Sequence, residues 1–147
     1  MALAIATVVD AISGLTVTGL TIKDMDQIPG AAEMRSATLL PLPDFLTNYE
    51  FERNSVGGGS IAKMTVYYQL NYRLLYKPAG AGRAIEYFDN MVSMVGLIMD
   101  AVMAIDTMSG TVDITPVSVT NMGLVNDPAD NPFYGCDIAF RIMEFVN

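Results

Sequence analysis

Residues 64–76 alternate without a break. Met64, Val66, Tyr68, Leu70, Tyr72, Leu74 and Tyr76 interleave with Thr65, Tyr67, Gln69, Asn71, Arg73 and Leu75. Period-2 alternation is the signature of a strand with one buried and one solvated face. Lys77-Pro-Ala-Gly-Ala-Gly82 interrupts it, and residues 83–105 then follow a helical period. Glu86, Asp89, Asn90, Ser93 and Asp100 of that segment fall in one wedge of roughly 100° on a helical wheel. The rest of the wheel is largely apolar. That is about twice the stripe a surface helix needs to cover one sheet. The surplus predicts a second apolar contact, most simply a neighbouring subunit, through Tyr87, Met91, Met94 and Ile98. For Met91 and Met94 the core and interface readings both stand, because methionine serves either setting.

The remaining elements read as follows. Residues 3–13 form a short helix with Ile5, Val8, Val9 and Ile12 on one side, stopped at Gly14. Residues 15–23 and 38–43 are strands, and Pro41 and Pro43 place the second at a sheet edge or end. Residues 24–35 form a loop. Residues 48–56 alternate again, with Tyr49 and Phe51 opposed to Glu50 and Glu52. Gly57-Gly-Gly-Ser60 joins this strand to the long one as a flexible hairpin tip. Residues 112–120 form a strand with a bulge at Thr115-Pro116, and residues 133–146 the last strand. The expected fold is a single α+β domain over 1–147. It has a mostly antiparallel sheet, one long helix packed on a face, a short N-terminal helix and a long flexible β-hairpin.

Composition sharpens this picture. Hydrophobic residues make up 52% and charged residues 16% of the chain, so a monomer has little charge with which to cover itself. Net charge is -8, and the eight Lys and Arg are dispersed, which excludes a clustered phosphate-binding footprint. Histidine is absent and cysteine occurs once, at Cys136. Ser-His-Asp, Cys-His and His-ligated metal sites are thereby excluded, and Cys136 is expected to be a buried thiol on a strand face. The apolar N-terminus lacks a basic segment and so does not read as a signal peptide. No uncharged apolar run reaches the length of a membrane span, so folding in a cytosol is expected.

Other constellations are weaker. Gly57-Gly-Gly-Ser-Ile-Ala-Lys63 lacks the ending and the helix of a phosphate loop. Asp24, Asp26, Asp127 and Asp130 lack calcium-loop spacing and read as solvated turn carboxylates. Glu50 and Glu52 read as a solvent- or lumen-facing pair. No catalytic, cofactor-binding or metal site is expected.

The order of elements resembles the tail terminator (tail completion) proteins of long-tailed bacteriophages. The resemblance rests on the short first helix, the Leu39-Leu-Pro-Leu-Pro43 segment and the hairpin. It rests also on the strand Tyr67-Tyr-Gln-Leu-Asn-Tyr-Arg-Leu-Leu-Tyr76, the single long helix and two closing strands. It covers nearly the whole chain, without a short diagnostic motif. It implies a non-enzymatic virion protein, assembled in the host cytoplasm, that forms a hexameric ring. Such a ring caps the tail tube, joins it to the head connector and lets DNA pass without tight binding. On that reading Asn54, Ser55, Val56, Gly57, Gly58, Gly59 and Ser60 are the assembly loop, and Glu50 and Glu52 are candidates for the lumen. The alternatives are another phage neck or connector protein, or a small non-catalytic ligand- or protein-binding α+β module.

Overall fold

A computed structural model describes residues 4–23, 37–53, 64–80, 84–105 and 111–146. In chain order the elements are α1 (Ile5–Ser13), β1 (Leu20–Ile22), β2 (Ala37–Arg53), β3 (Met64–Pro78), α2 (Ala84–Met103), β4 (Val112–Asn126) and β5 (Pro132–Val146). The strands form one sheet in the order β1-β2-β3-β5-β4. β3 and β5 are antiparallel along their length, from Met64 opposite Val146 to Pro78 opposite Phe133. β1 runs parallel to β2, over Leu20 to Ile22 only.

The expected α+β domain with a long helix packed on a face does not form. The described chain is mostly β, a curled mixed sheet, and its helices are minor elements. The strands absorb what read as breaks. Residues 38–43 and the described part of 48–56, expected to be separate, belong to one 17-residue β2, and residues 54–56 lie outside the described residues. Its register shifts between Pro41 and Leu46 and again between Thr47 and Glu50. β4 runs to Asn126 rather than stopping near Thr120, because Asn121 and Gly123 take positive φ and let the chain bulge and resume. The bulge foreseen at Thr115-Pro116 lies one step on, between Pro116 and Ser118. Of the expected strand 15–23 only Leu20–Ile22 pairs.

The alternation in β3 appears directly in its burial. Val66, Tyr68, Leu70, Tyr72 and Leu74 are all buried. They meet Ile138, Phe140 and Ile142 of β5, Val112 and Ile114 of β4, and Leu39 and Phe45 of β2. Tyr72 sits at the centre, edge-to-face with Phe45 and Phe140 at 5.7 Å each. Such pairs contribute about 0.5–1.5 kcal/mol beyond area burial. α1 adds Val8, Val9 and Ile12, and α2 adds Met91, Val95, Ile98 and Val102. Cys136 is buried in the same core, and burial pushes its thiol up to about 12, with the Asp137 charge adding to the rise. A small second cluster, Leu40, Leu75, Val125 and Phe133, closes one end of the sheet.

Gly135 marks a close backbone approach. It lies opposite Leu75, where β3 gains an extra residue before Lys77 pairs with Tyr134. A Cβ there would run into the carbonyl oxygen of Leu74 and stand 2.8 Å from Val125 Cγ2. The Leu74 carbonyl belongs to the central ladder and cannot yield cheaply. Gly135→Ala should therefore destabilise by at least the roughly 1–3 kcal/mol typical of overpacking. Urea unfolding checks this, and an unchanged midpoint would refute the clash.

Candidate functional site

The sheet face turned away from the core carries the polar half of the alternation. Its densest part joins β3, β5 and β4. Arg73 Nε donates to Asp137 Oδ1 at 2.6 Å and Arg73 Nη2 to Oδ2 at 3.0 Å, a two-pronged pair. Asn121 Nδ2 donates to the same Oδ2 at 2.7 Å, and Arg73 Nη1 to the Asn126 carbonyl at 3.2 Å. The positive φ of Asn121 belongs to the bulge that brings its amide to Asp137. Burial alone would push Asp137 up. The hydrogen bonds from Arg73 and Asn121 and the guanidinium charge outweigh it and hold the carboxyl below the ordinary range.

Further along β3, Asn71 Nδ2 donates to the Asp44 carbonyl and to Thr47 Oγ1, both at 2.9 Å. Gln69 Nε2 donates to Asn71 Oδ1 at 2.8 Å, and Asn48 Nδ2 to Gln69 Oε1 at 3.3 Å. These amides tie the irregular stretch of β2 to β3. Beyond them lies a polar groove of about 390 Å³, lined by Asn48, Glu50, Tyr67, Gln69, Val117 and Arg141. Bulges flank it on both sides, at Asn48 in β2, whose φ is 54°, and at Val117 in β4. The Arg141 guanidinium lies over the Tyr67 ring, 5.4 Å from its centroid.

Glu50 and Glu52, the lumen candidates, are both exposed near the end of β2. Glu50 shares the groove with Arg141, and Glu52 Oε2 accepts a long bond from the Tyr67 hydroxyl at 3.4 Å. Their surroundings are therefore of mixed charge rather than uniformly acidic. The proposed assembly loop, 54–60, lies outside the described residues, as do Asp24 and Asp26. Asp127 is occupied by its own turn, accepting from the backbone N–H groups of Ala129 and Asn131.

The four candidate interface residues of α2 separate. Met91 and Ile98 lie inside the chain's own core, out of reach of a neighbour in this conformation. Met94 is half-buried against that core. Tyr87 is half-buried between the rings of Tyr76 and Tyr134, with Lys77 Nζ 4.9 Å from its own ring centroid. The apolar surplus lies elsewhere on the helix. Phe88, Val92 and Met103 are 49%, 43% and 63% exposed and lie within about 60° of one another on the wheel, beside the buried stripe. Periodicity revealed the surplus but not which edge of it meets the sheet.

Two strand edges also stand open. Among the described residues no strand pairs with β2 beyond Leu39, and none with the outer edge of β4. Long unpaired edges invite further strand pairing. Val117 and Leu124 add exposed apolar side chains on β4. No protein-family model and no curated protein matches this sequence. The functional reading therefore rests on this surface itself.

The Arg73–Asp137 pair has a measurable consequence. Its carboxyl ionises more readily in the folded than in the unfolded chain. The stabilisation is complete above the unfolded pKa and disappears as pH falls through the lower folded value. Asp137→Asn should cost about 1.5–3 kcal/mol at neutral pH, the range for hydrogen bonds to charged groups. The gap to the unsubstituted protein should narrow in acid. Chemical denaturation at neutral and acid pH checks both, and a gap independent of pH would refute the charge assignment.

Proposed function

We propose that this chain is a structural assembly protein of the tail terminator kind, a ring-forming virion component that caps a tail tube and joins it to a head connector. The observation that carries the reading is the open apolar stripe Phe88, Val92 and Met103 on α2. A helix that already buries Met91, Val95, Ile98 and Val102 in its own core gains nothing within the monomer from a second large apolar stripe. Its desolvation by another copy of the chain gives the stripe a purpose. The two open sheet edges support the same reading, since distinct surfaces at opposite ends of one sheet suit head-to-tail contact, which closes into rings.

Passage of DNA without tight binding fits the disposition of the cations. Arg73 is held by Asp137, Arg141 lies on Tyr67 and Lys77 lies over Tyr87. Weak, dispersed positive charge leaves few groups to neutralise several phosphates together. The tail tube and the head connector are the partners this reading requires. A second reading, a small binding module for a polar ligand, draws on the groove around Tyr67 and Arg141.

Solution mass separates the two. A six-membered ring has about six times the 15.9 kDa of the chain, whereas a binding module is a monomer or dimer. Val92→Asp with Met103→Asp, both at exposed positions, should leave the circular dichroism spectrum unchanged and reduce the mass measured by light scattering to that of the monomer. A parent protein that stays monomeric at high concentration, or a double variant that keeps the parent's mass, would overturn the assignment of this stripe.

A further inference from the structure

One carboxyl group lies on the wrong side of the sheet. Along β5 the core positions Val146, Ile142, Phe140 and Ile138 share their face with Glu144, which is 1% exposed. Its register partners are Val66 on β3 and Val112 on β4, both buried and apolar. A carboxylate in such a place is costly unless paired with a cation or fully hydrogen-bonded. Among the described residues no cation reaches it. Oε1 accepts the backbone N–H of Ala4, the residue before α1, at 2.6 Å. Oε2 has no hydrogen-bond partner among the described residues.

The groups facing Glu144 are few. Tyr68 on β3 is fully buried, and its hydroxyl lies close enough to influence the ionisation of Glu144 while falling outside hydrogen-bond geometry. Tyr49 on β2 stacks on Tyr68, with centroids 5.5 Å apart and planes 11° apart, and its hydroxyl is also without a partner among the described residues. β4 presents Val112 and Ile114, and its Asp113 is exposed on the other face. α1 presents Val8 and Ile12, with Asp10 exposed, and α2 presents only its apolar stripe.

We propose that Glu144 is a proton-operated latch for α1, closed when its carboxyl group carries a proton and loosened when it does not. In the neutral form the carbonyl oxygen keeps the Ala4 N–H and no charge is buried. In the ionised form a buried negative charge is answered, among the described residues, by one backbone N–H, and moving the first turn of α1 aside lets water reach it. The Glu144–Ala4 bond carries this movement directly into the helix, whose packing on the core rests on Val8, Val9 and Ile12. The electrostatics agree in sign. Burial pushes Glu144 up from the ordinary carboxyl range, against the lowering influence of Ala4 and Tyr68. An acid raised on folding gives a stabilisation that is present below its unfolded pKa and is lost as pH rises through the folded value.

Hydrogen exchange of the intact protein, read by mass spectrometry on peptides covering α1 and β3 and corrected for intrinsic rates, tests this between pH 4 and 8. In the unsubstituted protein the protection of α1 should fall severalfold as pH rises, while that of β3 stays constant. Glu144→Gln keeps the carbonyl acceptor for Ala4, supplies an N–H donor toward Tyr68 and removes the charge. Its α1 protection should be independent of pH. Constant α1 protection in the unsubstituted protein, or an equal fall in Glu144→Gln, would overturn the latch. Should Glu144→Gln fail to fold, Tyr68→Phe decides. Loss of the hydroxyl should move the midpoint of the α1 transition to higher pH, and an unmoved midpoint would count against the proposal.

Discussion

The antiparallel ladder between β3 and β5 is the constraint on which everything else depends. It sets which side chains of both strands face inward, because a slip of one residue would exchange every pair of faces. With Leu70 opposite Phe140 and Tyr72 opposite Ile138, the large apolar groups of the two central strands coincide on one side. On the other side the same register puts Arg73 opposite Asp137 and Gln69 opposite Arg141. The charged pair is thus a consequence of the apolar alignment and also a penalty on its alternatives. A one-residue slip of either strand would turn its charged member toward the core and leave the other without it.

Irregularity is concentrated in the strands flanking that ladder. β2 and β4 each deviate from register twice, while β3 against β5 deviates once, near Gly135. The deviations bend the outer strands and curl the sheet, and the amide network around Gln69 and Asn71 secures the β2 deviation in place. Curling lets one sheet supply much of its own core through Phe45, Tyr72 and Phe140. That reduces what the helices must cover and leaves part of α2 exposed.

Much of the strand content was legible in the sequence, and the proportions were not. The β3 alternation is unambiguous because both faces are chemically distinct over seven repeats. The single long β2 was hidden because Pro41 and Pro43 look like terminators, yet a bulged strand with a free edge tolerates them. The end of β4 was hidden because a bulge at Asn121 and Gly123 looks like a turn when only local signals are read. On α2 the apolar surplus was visible, but a wheel has no marker for the direction of the sheet, so Met91 and Ile98 were as eligible as Phe88 and Val92. Glu144 carried a signal that went unread: it keeps the phase of Ile142 and Val146, and a carboxylate in phase with a core is a buried carboxylate unless the strand shifts.

The strand order β1-β2-β3-β5-β4 places the last described strand in the interior. β4 has no partner in the sheet until β5 has been made. On a ribosome the β2–β3 hairpin can assemble early, but α2 and β4 must wait beside it with their apolar groups uncovered. Closure comes when β4 and β5, paired as a hairpin, dock onto β3 as a unit. Contacts so distant in sequence form slowly. The nascent chain therefore passes through an interval with the edge of β3 bare and the core open, when capture by another chain competes with its own completion.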